Sequence, residues 1–163
     1  MSRWRPPQPR SSPYITPQGR LRLENELKSL WDRRSRVTAA LAEAAAEGDR
    51  SENAEYIYRK KELREIDKRI GYLQKRLPAL KTVTRVSDSG RIFFGAWVSL
   101  EDQSGEETRY RIVGADEFDD APEYISVDSP LSRALLNKSL DDEITIETAA
   151  GEMTYIITDI RYP

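Results

Sequence analysis

The sequence predicts an α+β chain: an N-terminal antiparallel coiled-coil hairpin of two α-helices, then an antiparallel sheet with one short helix. Three observations predict it. Apolar residues recur at alternating four- and three-residue spacing in two stretches joined by a short polar link. After residue 81 the pattern changes to short β-branched and aromatic runs punctuated by turn residues. The charge also divides there: residues 1–80 hold 18 Lys and Arg against 11 Asp and Glu, and residues 81–163 hold 8 against 17. A basic half beside an acidic half points to two modules with different partners.

Residues 1–13 carry four prolines and three arginines. They read as a disordered arm. The hairpin is expected over residues 14–80. Thr16 suits a helix N-cap, and Pro17 suits the first turn, where an N–H has no intrahelical partner. The first seam is Leu23, Leu27, Leu30, Arg34, Val37, Leu41 and Ala44; the second is Tyr56, Arg59, Leu63, Ile66, Ile70, Leu73, Leu77 and Leu80. Similar lengths favour pairing within one chain over dimerisation, so a monomer is expected. Helices of roughly 30 residues give a rod about 45 Å long. Arg34 and Arg59 interrupt the seams, their stems covering apolar surface while the guanidinium groups stay wet.

The second domain is expected over residues 81–163. Pro78 falls in the last helical turn, residues 82–86 look extended, and Ser87-Asp88-Ser89-Gly90 reads as a turn. Strands are predicted over residues 91–100, 108–113, 124–127, 143–148 and 153–160. Between the third and fourth, Ser129 as N-cap and Pro130 as first helical residue open a short helix burying Leu131, Ala134 and Leu135.

The composition excludes much chemistry. With no cysteine and no histidine, disulfides, thiolate nucleophiles, histidine bases and almost every catalytic zinc site are ruled out. No apolar run of about 18 residues offers a membrane span. No secretory signal is visible at the start, and no glycine-rich phosphate loop is present. Carboxylates remain, and one pair stands out: Asp49 and Glu52 in the link Gly48-Asp49-Arg50-Ser51-Glu52-Asn53. Asp-x-x-Glu is a common helix opening, with Asp49 as N-cap and Glu52 reaching back. At the tip of a rod it can equally supply part of the shell of a hard cation such as Mg²⁺, which takes six oxygens. Such a tip binds metal poorly by itself and becomes effective where a partner supplies further oxygens and substrate phosphates. Tyr56, Tyr58, Arg59, Lys60, Lys61 and Arg64 follow, an aromatic and basic group suited to single-stranded nucleic acid or to a solvated helix face.

Several segments together resemble the Gre family of bacterial transcript cleavage factors, and its GreB branch in particular. They are residues 48–56 (GDRSENAEY), 60–69 (KKELREIDKR), 93–98 (FFGAWV), 110–114 (YRIVG) and 125–131 (ISVDSPL), collinear within roughly residues 14–162. The resemblance implies that the second domain is FKBP-like. It implies a cytoplasmic elongation factor that is not itself an enzyme. Its coiled coil would enter the secondary channel of bacterial RNA polymerase and stimulate cleavage of nascent RNA in backtracked complexes. Asp49 and Glu52 would hold a second Mg²⁺ shared with the polymerase and orient the attacking water. Tyr56, Arg59, Lys60, Lys61 and Arg64 would contact the RNA 3′ segment or the polymerase. Asp128, Ser129 and Pro130 would contact the channel rim. A regulator that occupies the channel without cleavage is the alternative. A proline isomerase, by analogy of fold, has no specific constellation in residues 81–163.

Overall fold

The computed structural model describes residues 10–47, 53–84 and 90–163. Two compact units emerge: Gln18–Leu80, and Lys81–Pro163 together with the segment running up to Pro17.

The first unit is the hairpin. Helix α1 spans Pro17–Ala46 and helix α2 spans Ala54–Ala79. At 30 residues, α1 is about 45 Å long. The seam residues meet where the period puts them: Val37 of α1 with Ile66 and Ile70 of α2 form a buried cluster flanked by Leu27, Leu30 and Leu63. Arg34 and Arg59 do stay wet, with side chains 38% and 32% exposed. Arg34 crosses to Asp67 of α2 at 2.6 Å, and Arg69 of α2 returns a two-pronged bond to Glu26 of α1 at 2.9 and 3.0 Å. Exposed pairs of this kind contribute about 0–1 kcal/mol each. The apolar cluster therefore carries most of the pairing energy, and the ion pairs fix register. At the far end, the Leu80 N–H turns back to the Arg76 and Leu77 carbonyls, and Arg20 of α1 donates to the carbonyls of Leu77 and Leu80. These carbonyls would otherwise be orphaned at the helix C-terminus.

The second unit is built on a five-stranded sheet. Its strands are β3 (Trp97–Glu101), β4 (Glu107–Val113), β5 (Tyr124–Ser126), β6 (Glu143–Thr148) and β7 (Gly151–Arg161). The spatial order is β5-β4-β3-β7-β6. Helix α3 (Pro130–Leu135) covers one side. Ile92, Ala96, Val98, Leu100, Ile112, Val127, Leu135, Ile144 and Ile157 form the core. A separate two-stranded parallel ladder joins β1 (Tyr14–Ile15) to β2 (Lys81–Thr82).

Three sequence expectations differ from what is observed. The sheet is mixed rather than wholly antiparallel: β5 runs parallel to β4, because a 3-10 turn at Phe118–Asp120 carries the chain back before pairing resumes. The strand expected from residue 91 starts only at Trp97. Gly95 has φ +89°, and the Ala96 N–H closes a turn on the Phe93 carbonyl. A left-handed residue cannot continue a strand. The arm expected to extend to residue 13 meets the second unit sooner. The Pro13 carbonyl accepts from the Lys81 N–H at 2.6 Å, and Ser12 bonds to Asp128.

Candidate functional site at the hairpin tip

Gly48, Asp49, Arg50, Ser51 and Glu52 lie outside the described residues. The residues that bracket them are well defined. Helix α2 has Asn53 as its N-cap: the Asn53 side-chain oxygen accepts from the Tyr56 N–H at 3.1 Å, and its backbone carbonyl accepts from Ile57. The Asn53 amide nitrogen donates to the Ala44 carbonyl in the last turn of α1 at 2.8 Å. One side chain thus satisfies an orphan donor of one helix and an acceptor near the end of the other. The N-cap of α2 is thus Asn53. Sequence reasoning missed Asn53 because Asp49-x-x-Glu52 offers an equally good local capping pattern. The bond from the Tyr56 N–H to the Asn53 side chain identifies the cap, and the bond to Ala44 adds a tie across the hairpin.

Behind the cap, Tyr56, Lys60 and Arg64 stand four residues apart and share one face of α2. The Lys60 ammonium lies 5.8 Å from the Tyr56 ring centroid. Lys60, Lys61 and Arg64 are exposed, and among the described residues none has an acid within ion-pair distance. Ile57 and Tyr58 are also exposed, at 54% and 60%. This is the arrangement a single-stranded polyanion uses, with ring faces for bases and cations for phosphates.

Arg59 behaves differently from its neighbours. It bonds Glu55 at 2.8 Å and Glu62 at 3.0 Å, and Glu62 also accepts from Arg33 of α1 at 3.0 Å. The Glu55 hydrogen bond, followed by that of Glu62, raises the Arg59 pKa above its already high value. The Arg33 hydrogen bond holds the Glu62 carboxyl below the usual carboxylate value, burial opposing it and Arg59 adding to it. Arg59 is therefore the middle of an Arg33–Glu62–Arg59–Glu55 chain, with its charge already answered.

Asp128, Ser129 and Pro130 belong to the other compact unit. Ser129 caps α3, accepting from the Ser132 N–H at 3.2 Å, and Pro130 is the first helical residue. The Ser129 N–H closes a turn on the Ser126 carbonyl at 2.9 Å.

The donor set expected for a hard cation contains two carboxylates, Asp49 and Glu52. Glu55, the nearest described acid after them, is tied to Arg59. Among the described residues no group of three or more acids could hold a metal ion, and no helix is long and apolar enough to cross a membrane.

Comparison with known proteins covers both units. Residues 13–81 match the family "Transcription elongation factor, N-terminal", and residues 87–162 match "Transcription elongation factor, GreA/GreB, C-term". The protein named transcription elongation factor GreB in Pseudomonas aeruginosa is 57% identical over 165 residues, covering 100% of this chain and 98% of its own length. GreB of Pasteurella multocida is 56% identical over 153 residues, 93% of this chain and 97% of its own. A solved structure of GreA factor homolog 1 from Thermus thermophilus covers 91% of this chain and 97% of its own at 28% identity, with a TM-score of 0.40.

Proposed function

This chain belongs to the GreA/GreB family of transcription elongation factors, and from that membership we propose that it acts as a transcript cleavage factor of the GreB type. It binds bacterial RNA polymerase, inserts the hairpin into the secondary channel, and stimulates the polymerase's own cleavage of backtracked RNA. It is an accessory to the polymerase rather than an enzyme.

The single observation carrying the mechanism is the cap. Asn53 opens α2, which supports a chemical rather than a capping role for Asp49 and Glu52. In this reading the two carboxylates add oxygen ligands to a site the polymerase already provides. They fit Mg²⁺ in donor type and fall short of its six ligands, so tight binding by the free factor is not expected. When bound there, the ion supplies Lewis acidity at the scissile phosphate. The factor's own residues do the rest. Glu52 and Asp49 orient the water, and Tyr56 with Lys60 and Arg64 lines the RNA 3′ segment beside it. Lys61 adds charge, and Arg59 braces α2 through its acids. Asp128, Ser129 and Pro130 face the channel rim.

The test is cleavage of a backtracked transcript with Mg²⁺, run beside a polymerase-binding measurement. Asp49→Asn or Glu52→Gln abolishes stimulated cleavage while binding persists. If both are lost together, the tip is structural. If wild type binds and slows synthesis without shortening the RNA, the chain is a channel-occupying regulator and the cleavage reading is wrong.

A further inference from the structure

The segment before α1 is fastened to the second unit by a repeated device. Thr16 directs its N–H, at 3.0 Å, and its hydroxyl to the two carboxylate oxygens of Glu117. Four residues earlier, Ser12 does the same to Asp128, with the N–H on Oδ2 at 2.9 Å and the hydroxyl on Oδ1. The Val83 N–H donates to the Ile15 carbonyl at 2.9 Å, so β1 holds both donors in place. The two acids are not equivalent. Glu117 is 1% exposed and takes a third bond from the Gly114 N–H, which makes it an anchor. Asp128 is only partly buried, and among the described residues both oxygens of its carboxylate are served by Ser12 alone. The backbone around it is set independently by the Ser126–Ser129 turn and the Ser129 cap.

We propose that Ser12 is a positioning residue for polymerase binding: it fixes the Asp128 side chain within a loop whose backbone is already formed. This rests on the reading that the loop faces the polymerase. A carboxylate held by two donors has one rotamer, so its ordering is complete before association. A free side chain would be ordered only on binding, at the expense of affinity.

The experiment uses the full-length factor with backtracked polymerase complexes, reading the half-maximal factor concentration and the saturating cleavage rate separately. Ser12→Ala should raise the half-maximal concentration about three- to tenfold, the range expected for releasing one ordered side chain, with the saturating rate unchanged. Ser12→Thr, which keeps the hydroxyl, should restore it. Asp128→Ala should raise the concentration at least as far, and adding Ser12→Ala to it should bring no further loss. Additive losses would overturn the proposal, as would a Ser12→Ala defect in the saturating rate or one that Thr does not rescue. If Asp128→Ala weakens binding while Ser12→Ala is silent, the loop reading stands and the role of Ser12 is refuted. If neither substitution changes binding, the loop reading itself has failed.

Discussion

Asn53 is where the hairpin can be perturbed with a magnitude worked from geometry. Asn53→Ala removes the acceptor for the Tyr56 N–H and the donor to the Ala44 carbonyl together. Loss of a good N-cap costs about 1 kcal/mol, and loss of a net hydrogen bond costs about 1 kcal/mol more. A total of about 2 kcal/mol raises the local opening of the hairpin tip roughly 30-fold. Asn53→Asp separates the terms: the carboxylate still caps α2, but the tie to Ala44 is lost and two oxygens face one another. Hydrogen exchange at the Tyr56 amide, followed by NMR, reads the cap directly. It should accelerate roughly 30-fold in Asn53→Ala if opening is local and only about fivefold in Asn53→Asp, where the tie to Ala44 alone is lost. Cleavage should fall in both, because both release α1 from α2 beside the acidic pair. Unchanged Tyr56 exchange in Asn53→Ala would refute the capping argument. Full cleavage in Asn53→Asp would show that the tie to Ala44 does not position the tip.

Other expectations concern Glu62, Gly114 and the basic stripe. Because Arg33 and Arg59 depress the Glu62 pKa, the folded chain takes up that proton less readily than the unfolded one. The stabilisation is full above the ordinary value of 4.5 and fades as pH falls through the lower folded value. Melting temperature followed from about pH 6 to about pH 3 should therefore show a shallower acid limb in Glu62→Gln; an identical limb would contradict this account. Gly114→Ala would place a Cβ 2.1 Å from the Tyr14 carbonyl oxygen and 3.0 Å from Glu117 Oε2. Such overpacking costs about 1–3 kcal/mol. Calorimetry should show a melting temperature several degrees lower, with faster proteolysis before α1; an unchanged melt would mean the segment is not clamped there. Charge reversal at Lys60 and Lys61 should raise the factor concentration needed for cleavage, less so at high salt. An unchanged concentration dependence would make the stripe mere solvated surface.

The hairpin was legible in the sequence because its information is local. The four-three spacing of Leu27, Leu30, Val37, Leu63, Ile66 and Ile70 specifies a seam whatever the rest of the chain does. Ser129 and Pro130 were legible for the same reason, since cap and first-turn preferences act within four residues. What escaped depends on distant partners. The Thr16 hydroxyl serves Glu117, 101 residues away. Ser12 sits in a proline-rich stretch that looks unstructured until Asp128, 116 residues on, completes it. Gly114 is needed for space, because the Tyr14 carbonyl passes where a Cβ would stand. The Phe93-Phe94 run has strong strand propensity, overridden by the turn at Gly95. The direction of β5 follows from its connection, which propensity does not encode. The candidate site divides along the same line: residue types at the tip were readable, while the pairing of Arg59 and the cap at Asn53 were not.

The division of labour along the hairpin bears on how salt experiments are interpreted. Its apolar cluster ends near Val37 on α1 and Leu63 on α2. Beside and beyond its end, the described cross-helix ties include Arg33–Glu62, extended by Arg59, and, nearer the tip, the Asn53–Ala44 bond. Salt therefore acts on two things at once: it screens the Arg33–Glu62–Arg59 chain, and it screens Lys60, Lys61 and Arg64 from the phosphates of the proposed RNA contact. Loss of cleavage at high salt does not by itself implicate RNA. The two effects separate by variant, because Glu62→Gln breaks the ion-pair chain and leaves the stripe, whereas reversal of Lys60 and Lys61 leaves the ion-pair chain. If the stripe holds the RNA, the salt slope flattens only in the lysine variants, since every phosphate of a single strand that is no longer neutralised lowers that slope by about 0.7. A slope that flattens only in Glu62→Gln assigns the salt effect to the ion-pair chain.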